Sequence, residues 1–199
     1  MKKLHRPDLF SWSVFNEERN IDFHGTLWVR SEGNVLIDPL PLNEHDENHL
    51  DSLGGAEHLI ITNSDHVRDA EKILLFTGAK CWGPFAEKKN FPLECDDWLK
   101  NGDKPISNIE VFSMEGSKTP GELAILIDEN TLITGDIIRA HEGGSLCMLP
   151  EEKLQDRELA VNSIKRIADV KSIEAVIPGD GWPIFKNGHD ALIELAEKL

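Results

Sequence analysis

Apolar and polar positions along this chain fall into short runs whose periods predict the elements. Phe23 to Arg30 reads as a strand, as does Asn34 to Ile37, with Glu32-Gly33 as the turn between them. His58 to Thr62 is a brief apolar run of the kind buried on both faces of a sheet. From Val67 to Phe76, the residues Val67, Ala70, Ile73, Leu74 and Phe76 share one helical face, and Ser64 or Asp65 suits its N-cap. Three strands follow, Ile109 to Met114, Leu123 to Asp128 and Thr131 to Thr134, the last two joined across Glu129-Asn130. Glu151 to Val170 carries Leu154, Ala160, Val161, Ile164, Ile167 and Ala168 at helical spacing. A strand at Ala175 to Ile177 precedes Pro178-Gly179, and a helix from about Asp190 to Leu199 closes the chain. Strands and helices in this order predict an α/β sandwich with helices outside packed sheets, and place the chemistry on loops at strand ends.

A length of 199 residues with 40% hydrophobic content suits one domain over residues 1–199, and no repeat, low-complexity tract or linker divides it. With 36 acidic against 21 basic residues the formal charge is −15, which repels polyanions. Neither nucleic acid nor an anionic membrane surface is therefore expected as a partner. Cys81, Cys95 and Cys147 include no Cys-x-x-Cys pair, which argues against a disulfide framework or a zinc knuckle and for free thiols in a reducing compartment. The first residues turn polar at once, and no apolar run approaches the roughly 18 residues of a spanning helix. The expected location is the cytoplasm. Oligomeric state leaves no mark in the sequence.

Five segments in order carry a family resemblance: Gly33 to Pro39 with Asp38, Thr62 to Arg68, Gly116 to Gly121, Leu132 to Asp136, and Val176 to Gly181. Leu99 to Asp103 adds a sixth turn. Together they resemble the metallo-β-lactamase fold superfamily, and the resemblance implies an αββα sandwich of two mixed β-sheets flanked by helices. It also implies a metal centre on loops at one edge, and hydrolysis by metal-activated water.

Laid on the family's His-x-His-x-Asp-His motif, this chain has Asn63, Asp65, Val67 and Arg68 at the ligand positions, so none of the three histidines is present. Lys118 stands where the family's Gly-His-Thr motif supplies a histidine, and the terminal Pro-Gly-His-Gly reads Pro178-Gly179-Asp180-Gly181. Asp136, the shared carboxylate, and Asp38, a structural one, are retained. Val67 cannot ligate a metal, while Lys118 and Arg68 are cations. At about 4 Å and an effective dielectric near 20, two unit charges interact by roughly 4 kcal/mol, and a divalent ion about doubles this.

The expectation is therefore a degenerate, metal-free centre in which Lys118 and Arg68 replace the metals among Asp65, Asp136 and Asp180. Asp65, His66, Lys118, Asp136 and Asp180 are the candidate catalytic residues, with His66 in a spacer position that suits a solvent-facing or supporting role. Asp38, Asn63, Arg68, His141 and Trp182 are candidate pocket residues, His24 is a further one, and His141 to Cys147 is expected to form a flap. No cofactor is expected. If a metal binds, Asp65, Asp136 and Asp180 favour magnesium or manganese over zinc. Three functions follow: a cleft that binds a small polar molecule or is structural, a hydrolase with a reduced carboxylate-rich site, and an interaction scaffold.

Overall fold

A computed structural model describes all 199 residues. The chain runs β1 (Lys2–Lys3), β2 (Leu9–Asn16), β3 (Ile21–Trp28), β4 (Val35–Ile37), α1 (Glu44–Ser52), β5 (His58–Ile60), a 3-10 turn (Ser64–His66), α2 (Ala70–Thr77) and β6 (Lys80–Pro84). It continues through a second 3-10 segment (Phe85–Asn90), β7 (Asp97–Leu99), β8 (Ile109–Ser113), β9 (Leu123–Ile127), β10 (Thr131–Thr134), β11 (Ile138–Glu142) and β12 (Ser145–Met148). A short 3-10 turn (Glu151–Lys153), α3 (Arg157–Ala168), β13 (Ala175–Pro178) and α4 (Gly188–Lys198) complete it.

Strands β1 to β7 form one sheet in sequence order, antiparallel as far as β4 and parallel beyond it. The second sheet has the order β13-β10-β9-β8, with only β13 parallel to its neighbour. Because side chains alternate across a strand, each buried strand feeds two layers. Val35, Ile37 and Ile60 of the first sheet meet Ile125, Ile127, Ile133 and Ile177 of the second in the central layer. The alternate residues Leu36 and Leu59 pack with Leu50, Ala70 and Ile73 of α1 and α2. On the far side Ala124, Leu126, Leu132 and Val176 pack with Ala160, Ile164, Ile167, Leu192 and Leu195 of α3 and α4. The layers read helix, sheet, sheet, helix, the expected αββα sandwich of two mixed sheets.

Several boundaries differ from expectation, for local reasons. The helix predicted from Val67 starts at Ala70, because Arg68 takes φ 44°, outside the right-handed region. Ser64 and Asp65 do not cap it. They belong to the 3-10 turn, whose cap is Asn63, its Oδ1 accepting from the Asp65 amide at 3.0 Å. The run from Glu151 splits, and α3 begins only after Asp156, which accepts from the Leu159 amide at 3.0 Å. The segment expected as a flap is a paired β-ribbon, β11 with β12, turning through Gly143-Gly144. No helix is long and apolar enough to cross a membrane.

Candidate functional site

Most candidate residues sit on loops leaving the ends of two parallel strand pairs, one in each sheet, while Lys118 lies between β8 and β9 and His141 within β11. Asp38 follows β4, and the segment Thr62 to Arg68 follows the neighbouring β5. Asp136 follows β10, and Asp180 follows the neighbouring β13. Backbone bonds stitch the sheets together here. His24 N donates to Gly179 O at 2.9 Å, Gly181 N to Asp22 O at 3.1 Å, and Trp182 N to Ala140 O at 2.7 Å. Gly179 permits the approach, since a Cβ there would lie 2.9 Å from Cε1 of His66. Asp38 and Arg68 both hold positive φ without being glycine, a costly conformation that recurs at functional sites.

His66 is the hub of the cluster. It is 3% exposed, so of the two expectations for a spacer position, solvent-facing or supporting, the structure excludes the first. Its Nδ1 lies 2.8 Å from Asp38 Oδ2 and its Nε2 lies 3.4 Å from Asp136 Oδ1. The same Asp38 carboxylate accepts from the Thr62 amide at 2.7 Å and the Thr62 hydroxyl at 2.6 Å. Burial opposes a charged imidazole, yet the Asp38 charge and the bonds to both aspartates outweigh it and raise the His66 pKa to about 10. Burial also opposes ionisation of Asp136. The hydrogen bond and charge of His66, with help from Lys118 and Arg139, nevertheless hold that carboxyl at about 2. His66 is thus an imidazolium between two carboxylates.

A second buried pair lies alongside. Arg139 Nε stands 2.8 Å from both oxygens of Asp180, and one Nη lies 2.6 Å from Oδ2. His141 approaches the same carboxylate at 3.4 Å. Glu122, fully buried just before β9, accepts from the Ser117 hydroxyl at 2.5 Å and the Ile137 amide at 2.8 Å. Burial, reinforced by the nearby Asp136 charge, lifts its pKa to about 8, so Glu122 stays protonated where Asp136 is ionised. Two buried polar atoms beside this turn lack protein partners, Asn63 Nδ2 and Asp136 Oδ2.

The cations differ in part from expectation. Lys118 reaches Asp65, one of the three expected carboxylates, and both side chains are about two-fifths exposed. Arg68 pairs with no carboxylate. Its Nη1 donates to the backbone carbonyls of His24 at 3.1 Å and Asp38 at 3.0 Å, while its guanidinium lies over the Phe23 ring. Arg139 and His66 take the part assigned to it, beside Asp180 and Asp136. Asp65, Asp136 and Asp180 do not form one ligand set, and no three His, Cys, Asp or Glu side chains gather as one.

Arg139, Glu122 and Ser117 escaped the sequence reading. The available signal was a lone charge inside an apolar stretch: Arg139 within Ile137-Ile-Arg-Ala140, and Glu122 opening Leu123 to Ile127. Such a charge is buried only when paired or neutral.

A cavity of about 800 Å³ opens beside the cluster. His24, His141, Trp182, Trp12, Phe185, Lys2, Arg19 and Asp22 are among the residues that line it. Trp182 is 63% exposed, a wall of this cavity rather than core. His24 Nε2 donates to Gly181 O at 2.8 Å, and burial lowers the pKa of its ring. Asp65, Lys118 and Asp136 lie outside the cavity lining.

A family model described as metallo-beta-lactamase superfamily matches residues 1–199. No curated protein matches the chain. Among solved structures, the metallo beta lactamase from Erythrobacter litoralis with beta mercaptoethanol in the active site superposes with a TM-score of 0.77 at 13% identity, covering 99% of this chain and 96% of that one. The DIM-1 metallo-beta-lactamase gives 0.75 at 16% identity over 99% and 96%. The metallo-beta-lactamase from Pontibacter korlensis gives 0.74 at 16% identity over 99% and 98%. At these identities the likeness is one of fold.

Proposed function

We propose, from the premise that this chain belongs to the metallo-β-lactamase superfamily, that it is a ligand-binding protein whose inherited hydrolytic centre is held together by side-chain ion pairs instead of metal. One observation carries the reading. Four aspartates, Asp38, Asp65, Asp136 and Asp180, share one small region with four basic side chains, His66, Arg68, Lys118 and Arg139. The donors do not fit zinc. Both nitrogens of His66 face carboxylates, both oxygens of Asp180 face Arg139, and Lys118 brings a positive charge to Asp65. A divalent ion would have to displace these cations and would be repelled by any that stayed.

Ligand binding falls to the adjoining cavity. In a chain of formal charge −15 its lining has Lys2 and Arg19 against Asp22 alone, with Trp12, Trp182 and Phe185 as aromatic walls. That chemistry suits a small anion with an aromatic or apolar body. A second reading keeps a reduced hydrolase, and the unpartnered Asp136 Oδ2 favours it, since an oxygen-seeking ion such as magnesium or manganese would satisfy that atom.

Elemental analysis of protein purified without chelator separates the two. Less than a tenth of an equivalent of zinc, manganese or magnesium after dialysis, and an unchanged melting temperature in EDTA, is the expected result. A near-stoichiometric metal overturns the proposal. Aryl carboxylates and phosphates are then expected to raise the melting temperature, because they bind only the folded state. Loss of that rise in Arg19→Ala places the ligand in this cavity.

A further inference from the structure

Cys81 in β6 and Cys95, just ahead of β7, lie 14 residues apart and bring their Sγ atoms to 2.9 Å. Both are buried free thiols, and Cys147 is half-buried in β12. The surroundings hold the pair in place. The Cys81 amide donates to Asp96 Oδ2 at 2.7 Å, tying β6 to the segment that carries Cys95. Gly83 leaves room for the second sulfur, since a Cβ there would meet Cys95 Sγ and the Trp98 ring at 3.0 Å. Free thiols were the expectation from sequence, and the spacing gave no hint of this contact.

We propose that Cys81 and Cys95 form an oxidative modification site, converted by a disulfide oxidant such as oxidised glutathione into an intramolecular disulfide. One protein thiol attacks the glutathione disulfide, releasing one reduced glutathione and leaving a mixed disulfide. The second thiol then displaces the other glutathione. The glutathione S–S bond breaks, the Cys81–Cys95 bond forms, and the two thiol protons leave on two reduced glutathione molecules. The oxidant reaches the sulfurs when the segment between them opens locally.

The loop so closed contains the 3-10 segment Phe85–Asn90. Its buried Glu87 accepts from the Ser64 amide at 3.1 Å, at the start of the turn that carries Asp65 and His66. Oxidation therefore restrains the prop beneath the ion-pair cluster. This inference is independent of whether that cluster binds metal.

The test is refolding of the full chain from urea in a glutathione redox buffer, which removes the access barrier, followed by tryptic mapping without reductant. Peptides 81–88 and 90–100 are expected to appear joined, with Cys147 unlinked. Oxidised protein is expected to melt roughly 5–10 °C higher than reduced protein, from closure of a loop of this length. Dithiothreitol abolishes the increment, and Cys95→Ser never shows it. Hydrogen exchange over residues 85–94 and 64–66 slows on oxidation. Correctly refolded protein with both thiols free, or linked through Cys147, overturns the proposal, as does a disulfide that fails to raise the melting temperature.

Discussion

Two ends of one cluster use the same chemistry in different solvents. At the buried end, the side chains of Arg139 and Asp180 are 8% and 4% exposed, and those of His66 and Asp38 are both 4% exposed. At the rim, Lys118 and Asp65 are 40% and 43% exposed. Water screens the rim pair and hydrates either partner if the other is lost. At the buried end each charge depends on its partner, because removing one strands the other in a medium that cannot solvate it. Position among the inherited motifs therefore does not rank these residues, and burial does.

The sharpest way to break the comparison is Arg139→Met. Leaving Asp180 buried with only His141 nearby costs roughly 3–5 kcal/mol by urea denaturation, and Arg139→Met with Asp180→Leu recovers most of the loss. Equal losses in the single and double variants would mean that packing, not charge, is what Arg139 supplies.

The hub gives the next effect, read through pH. The folded pKa of His66 lies above its ordinary value, so its contribution is complete below pH 6.5 and is lost as pH rises through about 10. Glu122, raised to about 8, has the same sign over pH 4.5 to 8. Asp136, lowered to about 2, loses its contribution as pH falls below 3.8 toward 2. Wild-type stability is therefore expected to decline from pH 6.5 to 10, His66→Gln to flatten that decline, and Glu122→Gln to remove only the part below about pH 8. A His66→Gln profile parallel to wild type would contradict the imidazolium assignment.

A packing change at the seam between the sheets comes third. Gly179→Ala drives a methyl against His66 and is expected to cost about 1–3 kcal/mol in the same denaturation assay. Smallest is Lys118→Ala, at roughly 0.2–1 kcal/mol, fading as salt is added. A Lys118 effect as large as that of Arg139 would erase the distinction between rim and interior.

Much of the fold was legible because its central strands carry unbroken apolar runs. Leu123 to Ile127 and Ala175 to Pro178 are buried at every position. What stayed hidden lacks such a pattern. Helix α1 buries only Asp46 and Leu50, and β11 leaves the apolar code at Arg139. The motif register paired Lys118 with a carboxylate, as the structure does at Asp65, but gave Arg68 the place that Arg139 takes beside Asp180. Arg68 and Arg139 look alike as letters, yet Arg68 donates to backbone carbonyls while Arg139 meets the Asp180 carboxylate.

The sequence by itself determined the layered sandwich and the superfamily, because period and motif order are properties of the chain read locally. Tertiary structure alone decided which charge meets which, that His66 is buried between two aspartates, and that Cys81 touches Cys95. Those depend on distances between segments far apart in sequence and on exclusion of water, and neither is written in any local pattern.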